Sequence, residues 1–304
     1  MMATEQEHTS MVLLATHVLL LRIDDAQTGE WSGAPDGFLV RSARLTMTLL
    51  EILKGTLHKR PGDQFHLRVT QYSSGSPRRP VAPGVWSGQA LDPGAELLAF
   101  CHDNDDRVLE SLLAEGSCQQ IMPADGALGD VRLALRAESE RLSSSALLDV
   151  ARSEGSGLGY MFVEYLLAKV LEPALSDEAL FDALMQTIET PALSLIARWM
   201  LLKAVYSAVA NAPAAPPEQV HRLALMLFRV LEVCTDASVT DNIVRVFLPN
   251  LLGLQGGLAV RNADDVFHGL PEERSKVKEI LDRYRGNAST AALLDWLEAK
   301  KDQP

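Results

Sequence analysis

The densest concentration of chemically competent side chains is His102-Asp103-Asn104-Asp105-Asp106, set directly after the apolar run Glu96 to Cys101. Hard divalent cations bind several oxygens offered by one loop, and Asp103, Asp105 and Asp106 beside His102 are donors of that type. The spacing departs from the calcium-loop pattern, because Arg107 stands where the next acid belongs and Val108 where the glycine belongs. Asp and Asn in such a run also suit a solvated turn between strands. A metal-dependent hydrolase or ligand-binding enzyme using the loop at 102–106 is the alternative reading of the chain.

Other motifs argue against common catalytic chemistries. The run Gly155-Ser156-Gly157-Leu158-Gly159 precedes a helical pattern, where backbone amides can hold a phosphate. It lacks the lysine of a P-loop, and Tyr160 stands where GxGxxG requires its third glycine, so it reads as a flexible hinge. The seven histidines (His8, His17, His58, His66, His102, His221 and His268) form no HExxH and no i, i+4 pair. There is no GxSxG elbow, and Cys101, Cys118 and Cys234 form neither a CxxC knuckle nor an even-numbered disulfide framework, so reduced structural thiols are expected. No catalytic residue, cofactor site or metal site is assigned.

What remains is a set of contact-forming residues. Tyr72, Arg78, Arg79 and Trp86 lie on or beside one long turn-rich stretch, and aromatic rings with arginine are the types that anchor protein interfaces. Together with His102, Asp103, Asp105 and Asp106 they form the candidate protein interface. A nucleic-acid patch is disfavoured: Lys plus Arg number 28 against 40 Asp plus Glu, giving a formal charge of -12, and the acid excess extends over both halves.

The elements that position these residues follow from periodicity. Leu45, Met47 and Leu49 alternate with polar neighbours, as do Phe65, Leu67 and Val69, which is the pattern of strands with one buried face. Two more strands are predicted at His17 to Ile23 and Glu96 to Cys101, separated by turn formers at Gly29 to Gly37, Gly55 to Gly62 and Ser73 to Gly94. This half, 11–142, reads as an all-β small barrel or sandwich. After about Ser143 the spacing becomes helical. The stretch 143–157 is expected to be a linker and 158–304 an all-α domain, the whole being α+β in two domains.

Helix starts are signalled at Ser176 as an N-cap, at Thr190 before Pro191, and at Pro217. Starts near Ser176 and Pro217 lie about 41 residues apart, the length of a two-helix solenoid repeat, with a third pair near Pro271 after an insertion at Gly253 to Leu270. That suggests a HEAT-like array, with a compact irregular helical bundle as the alternative. The stripe Leu193, Ile196, Trp199, Met200, Leu202, Val205, Tyr206 and Val209 is assigned to its core.

The first half resembles netrin-like domains, the OB-fold barrel also found in tissue inhibitors of metalloproteinases. The resemblance is carried by the apolar strand at His17 to Arg22, by Leu50-Glu51-Ile52-Leu53-Lys54-Gly55, and, past a further strand after Gly62, by Gly94-Ala95-Glu96-Leu97-Leu98-Ala99-Phe100. It covers roughly residues 11 to 140 and implies a small OB-like barrel. Inhibitors of this type use an amino-terminal cysteine pair to present a free amine to a catalytic metal, and no cysteine here precedes Cys101. Metalloproteinase inhibition is therefore not implied.

The 304 residues, 47% hydrophobic and 22% charged, are enough for two packed cores. Glu5 and Glu7, with no Lys or Arg in the first ten residues, do not fit a signal peptide, and no apolar run reaches membrane-spanning length. The expectation is a cytoplasmic, non-enzymatic adaptor or regulatory subunit that binds another protein, not nucleic acid or a membrane.

Overall fold

The computed structural model describes residues 10–33, 39–72, 86, 91–102, 109, 113, 118–211, 217–234 and 236–248. The chain divides into two compact units, Met1–Leu142 with Gly159–Ala168, and Ser143–Leu158 with Lys169–Pro304. The layout is α+β, with a curled antiparallel sheet followed by helices.

The sheet unit is built on β1 (His17–Thr28) and β3 (Leu39–Lys54), two long strands paired from Val18 opposite Lys54 to Thr28 opposite Ala43. β4 (Gln64–Tyr72) lies on the far edge of β3, and the two-residue β2 (Ser32–Gly33) pairs with the start of β3. On the other edge of β1 stands β5 (Glu96–Cys101), followed by β6 (Cys118–Pro123). The path is therefore β4-β3-β1-β5-β6, antiparallel throughout. Ladder slips between β1 and β3 fall at Val18/Leu19, Leu20/Leu21 and Ile23/Asp25. Such bulges increase local twist and curl a sheet.

The alternation expected from sequence is realised: Leu45, Met47, Leu49, Phe65, Leu67 and Val69 face one core with Leu19, Leu21 and Ile23. Residues from the connections fill the same core. Trp86, Leu91, Leu109 and Leu113 are all buried there.

The all-β expectation for 11–142 is corrected. α1 (Met11–Leu14) precedes the sheet and α2 (Leu128–Ser139) follows it, and both belong to this unit. The buried face of α2 is Asp130, Val131, Ala134 and Ala137, a stripe of mostly small side chains that carries little hydropathy signal.

The linker expectation for 143–157 is also corrected. Ser144–Glu154 is helix α3, capped by Ser143, and Gly155–Gly157 is one 3-10 turn. Gly155 ends α3 at φ +51°, a conformation that favours glycine, and its carbonyl accepts from the Ser194 amide at 3.1 Å. Ser194 Oγ in turn donates to the Leu158 carbonyl at 2.5 Å. The glycine run is thus a hydrogen-bonded corner.

Helices α4 (Tyr160–Ser176), α5 (Glu178–Glu189), α6 (Leu195–Asn211) and α7 (Pro217–Val233) follow, then α8 (Ala237–Asn242) and a π-helical turn Ile243–Phe247. The division between the units falls within α4. α5 packs on α3 and on α7, so alternate helices are neighbours, and α6 packs on both α5 and α7. Pro217 opens α7 as expected. Two caps shift by chemistry: Asp177 rather than Ser176 accepts from the Leu180 amide at 3.1 Å, and Ser194 rather than Thr190 accepts from the Ala197 amide at 3.1 Å. The predicted helices beyond 248, and the insertion at Gly253 to Leu270, lie outside the described residues.

Candidate functional site

The Leu53-Lys54-Gly55 step is structural. Lys54 Nζ donates to the carbonyls of Val12 at 2.9 Å and Leu13 at 3.3 Å, tying α1 to the end of β3. Gly55 turns at φ +88°, and a Cβ there would lie 2.8 Å from both His17 Cγ and the Thr16 carbonyl. The buried His17 ring is fixed at both nitrogens, hydrogen-bonded to Thr16 Oγ1 at 3.2 Å and to the Thr56 carbonyl at 3.0 Å.

The anion-binding possibility of the glycine run is answered from inside the chain. Asp130 Oδ1 accepts from the Gly159 amide at 3.0 Å and Oδ2 from the Phe162 amide at 3.4 Å. A carboxylate of the sheet unit therefore occupies the start of α4 where a phosphate would sit. Gly159 permits that approach, since a Cβ would come within 2.5 Å of Asp130 Oδ2.

On the solvent face of the sheet, Asp24 gathers three donors: Thr48 Oγ1 at 2.6 Å, Arg22 Nε at 3.0 Å and Gln64 Nε2 at 3.1 Å. The Thr48 and Gln64 hydrogen bonds, helped by Arg22, hold its carboxyl below the usual aspartate value. His66 is hydrogen-bonded to Thr46 Oγ1 at 3.1 Å. These are surface networks across paired strands.

The best-formed contact surface is at the other end of the β1–β3 ribbon. Trp31 and Leu39 are 42% and 48% exposed, large apolar side chains on the two arms of one hairpin. The Arg41 guanidinium lies over the Trp31 ring, 4.6 Å from its centroid. Its Nε donates to the side-chain oxygen of the buried Gln71 at 2.7 Å, which fixes the stack from β4. A cation held over an indole in this way is attracted by the ring quadrupole. Val40 pairs with Ser32 on one side and with Tyr72 on the other, so Tyr72 stands at the same ribbon end.

Of the expected interface residues, Tyr72 shares this end of the ribbon, but its register opposite Val40 sets it on the other sheet face from Leu39 and Arg41. Trp86 does not join the surface: at 1% exposure it is a core residue of the sheet unit, and its indole N–H has no partner among the described residues. Burial of a large ring in the sheet core overrides its place on a polar stretch. His102 is half-buried at the end of β5. Arg78, Arg79, Asp103, Asp105 and Asp106 lie outside the described residues. Trp31, Leu39 and Arg41 were not signalled by the sequence; the available clue was a tryptophan in a turn-rich segment between two long strands.

The helical unit has its own exposed apolar face. Ile196, expected in the core stripe of α6, is 54% exposed, and its neighbour Leu195 is also exposed. Leu202, Val205 and Val209 of that stripe are buried as expected, and the buried face also takes in Ala197, Leu201 and Ala204. Arg198 is buried there too, with Nη2 donating to the carbonyls of Thr190 at 2.8 Å and Pro191 at 3.3 Å just past α5. A guanidinium at a helix C-terminus meets the negative end of the helix dipole. Trp199 and Tyr206 both stack on Phe247, at centroid distances of 5.8 and 4.2 Å.

Among the described residues, no three His, Cys, Asp or Glu side chains are grouped to hold a metal ion, and no helix is long and apolar enough to cross a membrane. In comparisons with known protein families and with characterised proteins, the chain matches none.

Proposed function

We propose that this chain is a non-enzymatic adaptor or regulatory subunit of a cytoplasmic assembly, binding a partner protein through the Trp31–Leu39–Arg41 end of its β-ribbon. The observation that carries the reading is the Arg41–Trp31 stack held from Gln71, with Leu39 beside it. Exposed tryptophan and leucine with a half-buried arginine, fixed on a strand pair, lose little side-chain entropy on binding, and Trp and Arg dominate interface energetics. The matching partner surface is an apolar pocket for Trp31 and Leu39 with a carboxylate at its rim for Arg41.

Two finer points of architecture belong to the same proposal. The path β4-β3-β1-β5-β6 is the strand order of a five-stranded Greek-key barrel of OB type, with β4 and β6 as the two strands that meet when such a barrel closes. This supports the netrin-like reading of the first half. In the second half, α3, α5 and α7 stand side by side, and ion pairs join α5 to α7 at Arg222–Asp182 and Arg229–Glu189. Both pairs span 40 residues. Alternate helices standing adjacent support a HEAT-like array, whose exposed helix faces serve partners.

The test is capture by full-length wild type and by a Trp31→Ala/Leu39→Ser variant, compared by quantitative mass spectrometry. The expected result is at least one protein held by wild type and depleted about tenfold or more with the variant, with circular dichroism and melting unchanged. If every captured protein is retained equally by a folded variant, the proposed interface is wrong.

A further inference from the structure

β5 and β6 pair with Leu97 opposite Pro123, Leu98 opposite Met122, Ala99 opposite Ile121 and Phe100 opposite Gln120. Continued at that register, Cys101 would face Gln119. The ladder instead slips between Phe100 and Cys101, and Cys118 stands opposite Cys101. Two residues of β6 thus oppose one of β5, a β-bulge, a device that re-aims a side chain. Its effect here is to put both cysteines into the same buried core as Ala99 and Ile121, at 0% and 3% exposure.

Directly opposed residues of an antiparallel pair have Cα atoms about 4.5 or 5.5 Å apart, according to their place in the ladder. Disulfides span Cα separations of about 4.4 to 6.8 Å, and both ladder spacings fall inside that range. The Cys118 thiol donates to the Phe100 and Gln120 carbonyls, 3.6 Å away in each case. Both thiols are free.

We infer that Cys101 and Cys118 are a bridge-forming pair, a covalent modification site whose disulfide closes the base of the connection carrying Asp103, Asp105 and Asp106. The oxidant class is a low-molecular-weight disulfide such as oxidised glutathione. One cysteine thiolate attacks a glutathione sulfur, the S–S bond of the oxidant breaks, and one glutathione thiolate leaves. The second cysteine, deprotonated, attacks the sulfur of the mixed disulfide, forming the Cys101–Cys118 bond and releasing the second glutathione. Two thiols have then lost two electrons and two protons, and the oxidant has been reduced to two thiols.

The hydrogen bond with Cys101 and burial push the Cys118 thiol well above its ordinary pKa, so attack from the closed fold is slow. The bridge is set while the strands pair, or when β6 opens. Cys234, buried in the helical unit and remote in sequence, is the internal control.

The full chain, unfolded in denaturant and refolded in mixtures of reduced and oxidised glutathione, is quenched by alkylation and mapped by peptide mass spectrometry. The expected product has lost two hydrogens, links the Cys101 and Cys118 peptides, and carries alkylated Cys234. The same link is expected with Cys234→Ser and none with Cys118→Ser. Alkylation of both Cys101 and Cys118 even in fully oxidised glutathione, pairing of either with Cys234, or glutathione adducts alone would overturn the inference. Because the deciding measurement uses the wild-type chain, a variant that fails to fold does not blunt it.

Discussion

In the sheet unit, positions are fixed where distant parts of the chain meet on one residue. His17 opens β1, faces Cys101 across the ladder, is hydrogen-bonded to Thr56 and leaves room beside its ring for no more than a glycine at position 55. In the helical unit, the same job is divided among repeated contacts. Arg222 and Arg229, two turns apart on α7, each reach an acid of α5 standing 40 residues earlier. Phe181, Leu184 and Ile188 of α5 are buried. The first arrangement concentrates many constraints on few residues, whereas the second distributes them between neighbours, so the cost of a single change differs by region.

Gly55→Ala is the sharpest way to break the sheet side of that contrast. The new methyl requires a left-handed conformation that alanine resists and collides with a ring fixed at both nitrogens. A loss of about 3 to 5 kcal/mol is expected, from backbone strain and overpacking together. Urea denaturation of the full chain measures it. The double variant His17→Ser/Gly55→Ala is expected to be less damaged than the sum of the two singles, because the ring is gone and only the Thr16 carbonyl still opposes the methyl. Additive effects would mean that the two residues do not constrain each other.

The corresponding change in the helical unit, Arg222→Met, is expected to cost less than about 1 kcal/mol. It removes ion pairs to Glu178 and to Asp182, the latter at 2.8 Å, while the methionine keeps an apolar stem against the helix. Both acids are substantially exposed, so much of the attraction is spent on water, and the residual effect should shrink further as salt is raised. Denaturation at low and high ionic strength gives the comparison. A loss approaching that of Gly55→Ala would show that the α5–α7 seam depends on charge rather than on apolar packing.

These differences also explain what was legible in the sequence. β3 and β4 announce themselves because one face is buried and the alternation is unbroken, and β5 does so as a continuous apolar run, buried from Leu97 to Cys101. β6 does not, because the bulge at Gln119 breaks period two and puts Cys118 and Ile121, three apart, on the core side. The helices α4 to α7 were readable from spacing, and Leu202, Val205 and Val209 of α6 are buried as expected, but its first turn was not legible: Arg198 is drawn inward by carbonyls of the preceding turn while Ile196 is left outside. The same limit governs the candidate site. Residue type marked Trp86 for a surface it does not occupy, and the exposure of Trp31 depends on the hairpin arm and on Gln71 reaching Arg41 from β4.

The smallest expected effects separate the two regions by sign. Asp24 in the sheet unit has its carboxyl lowered by hydrogen bonds from Thr48 and Gln64 and by Arg22. As pH falls, the unfolded chain takes up that proton before the folded one. Asp24 therefore contributes stability above its unfolded pKa, and the contribution disappears as pH falls through the lowered folded value. Glu189 in the helical unit is raised by burial, with Arg229 only partly opposing the shift. The folded state here holds the proton longer, so the contribution is present below the unfolded pKa and is lost as pH rises through the raised value. Stability measured in urea between about pH 3 and 7 should show the acid-side slope reduced in Asp24→Asn and the opposite slope reduced in Glu189→Gln. Carboxyl titration by NMR assigns each step to its residue. Slopes of the same sign would mean that the two carboxylates sit in equivalent surroundings, and that a three-donor surface network and a desolvated helix end do not set them apart.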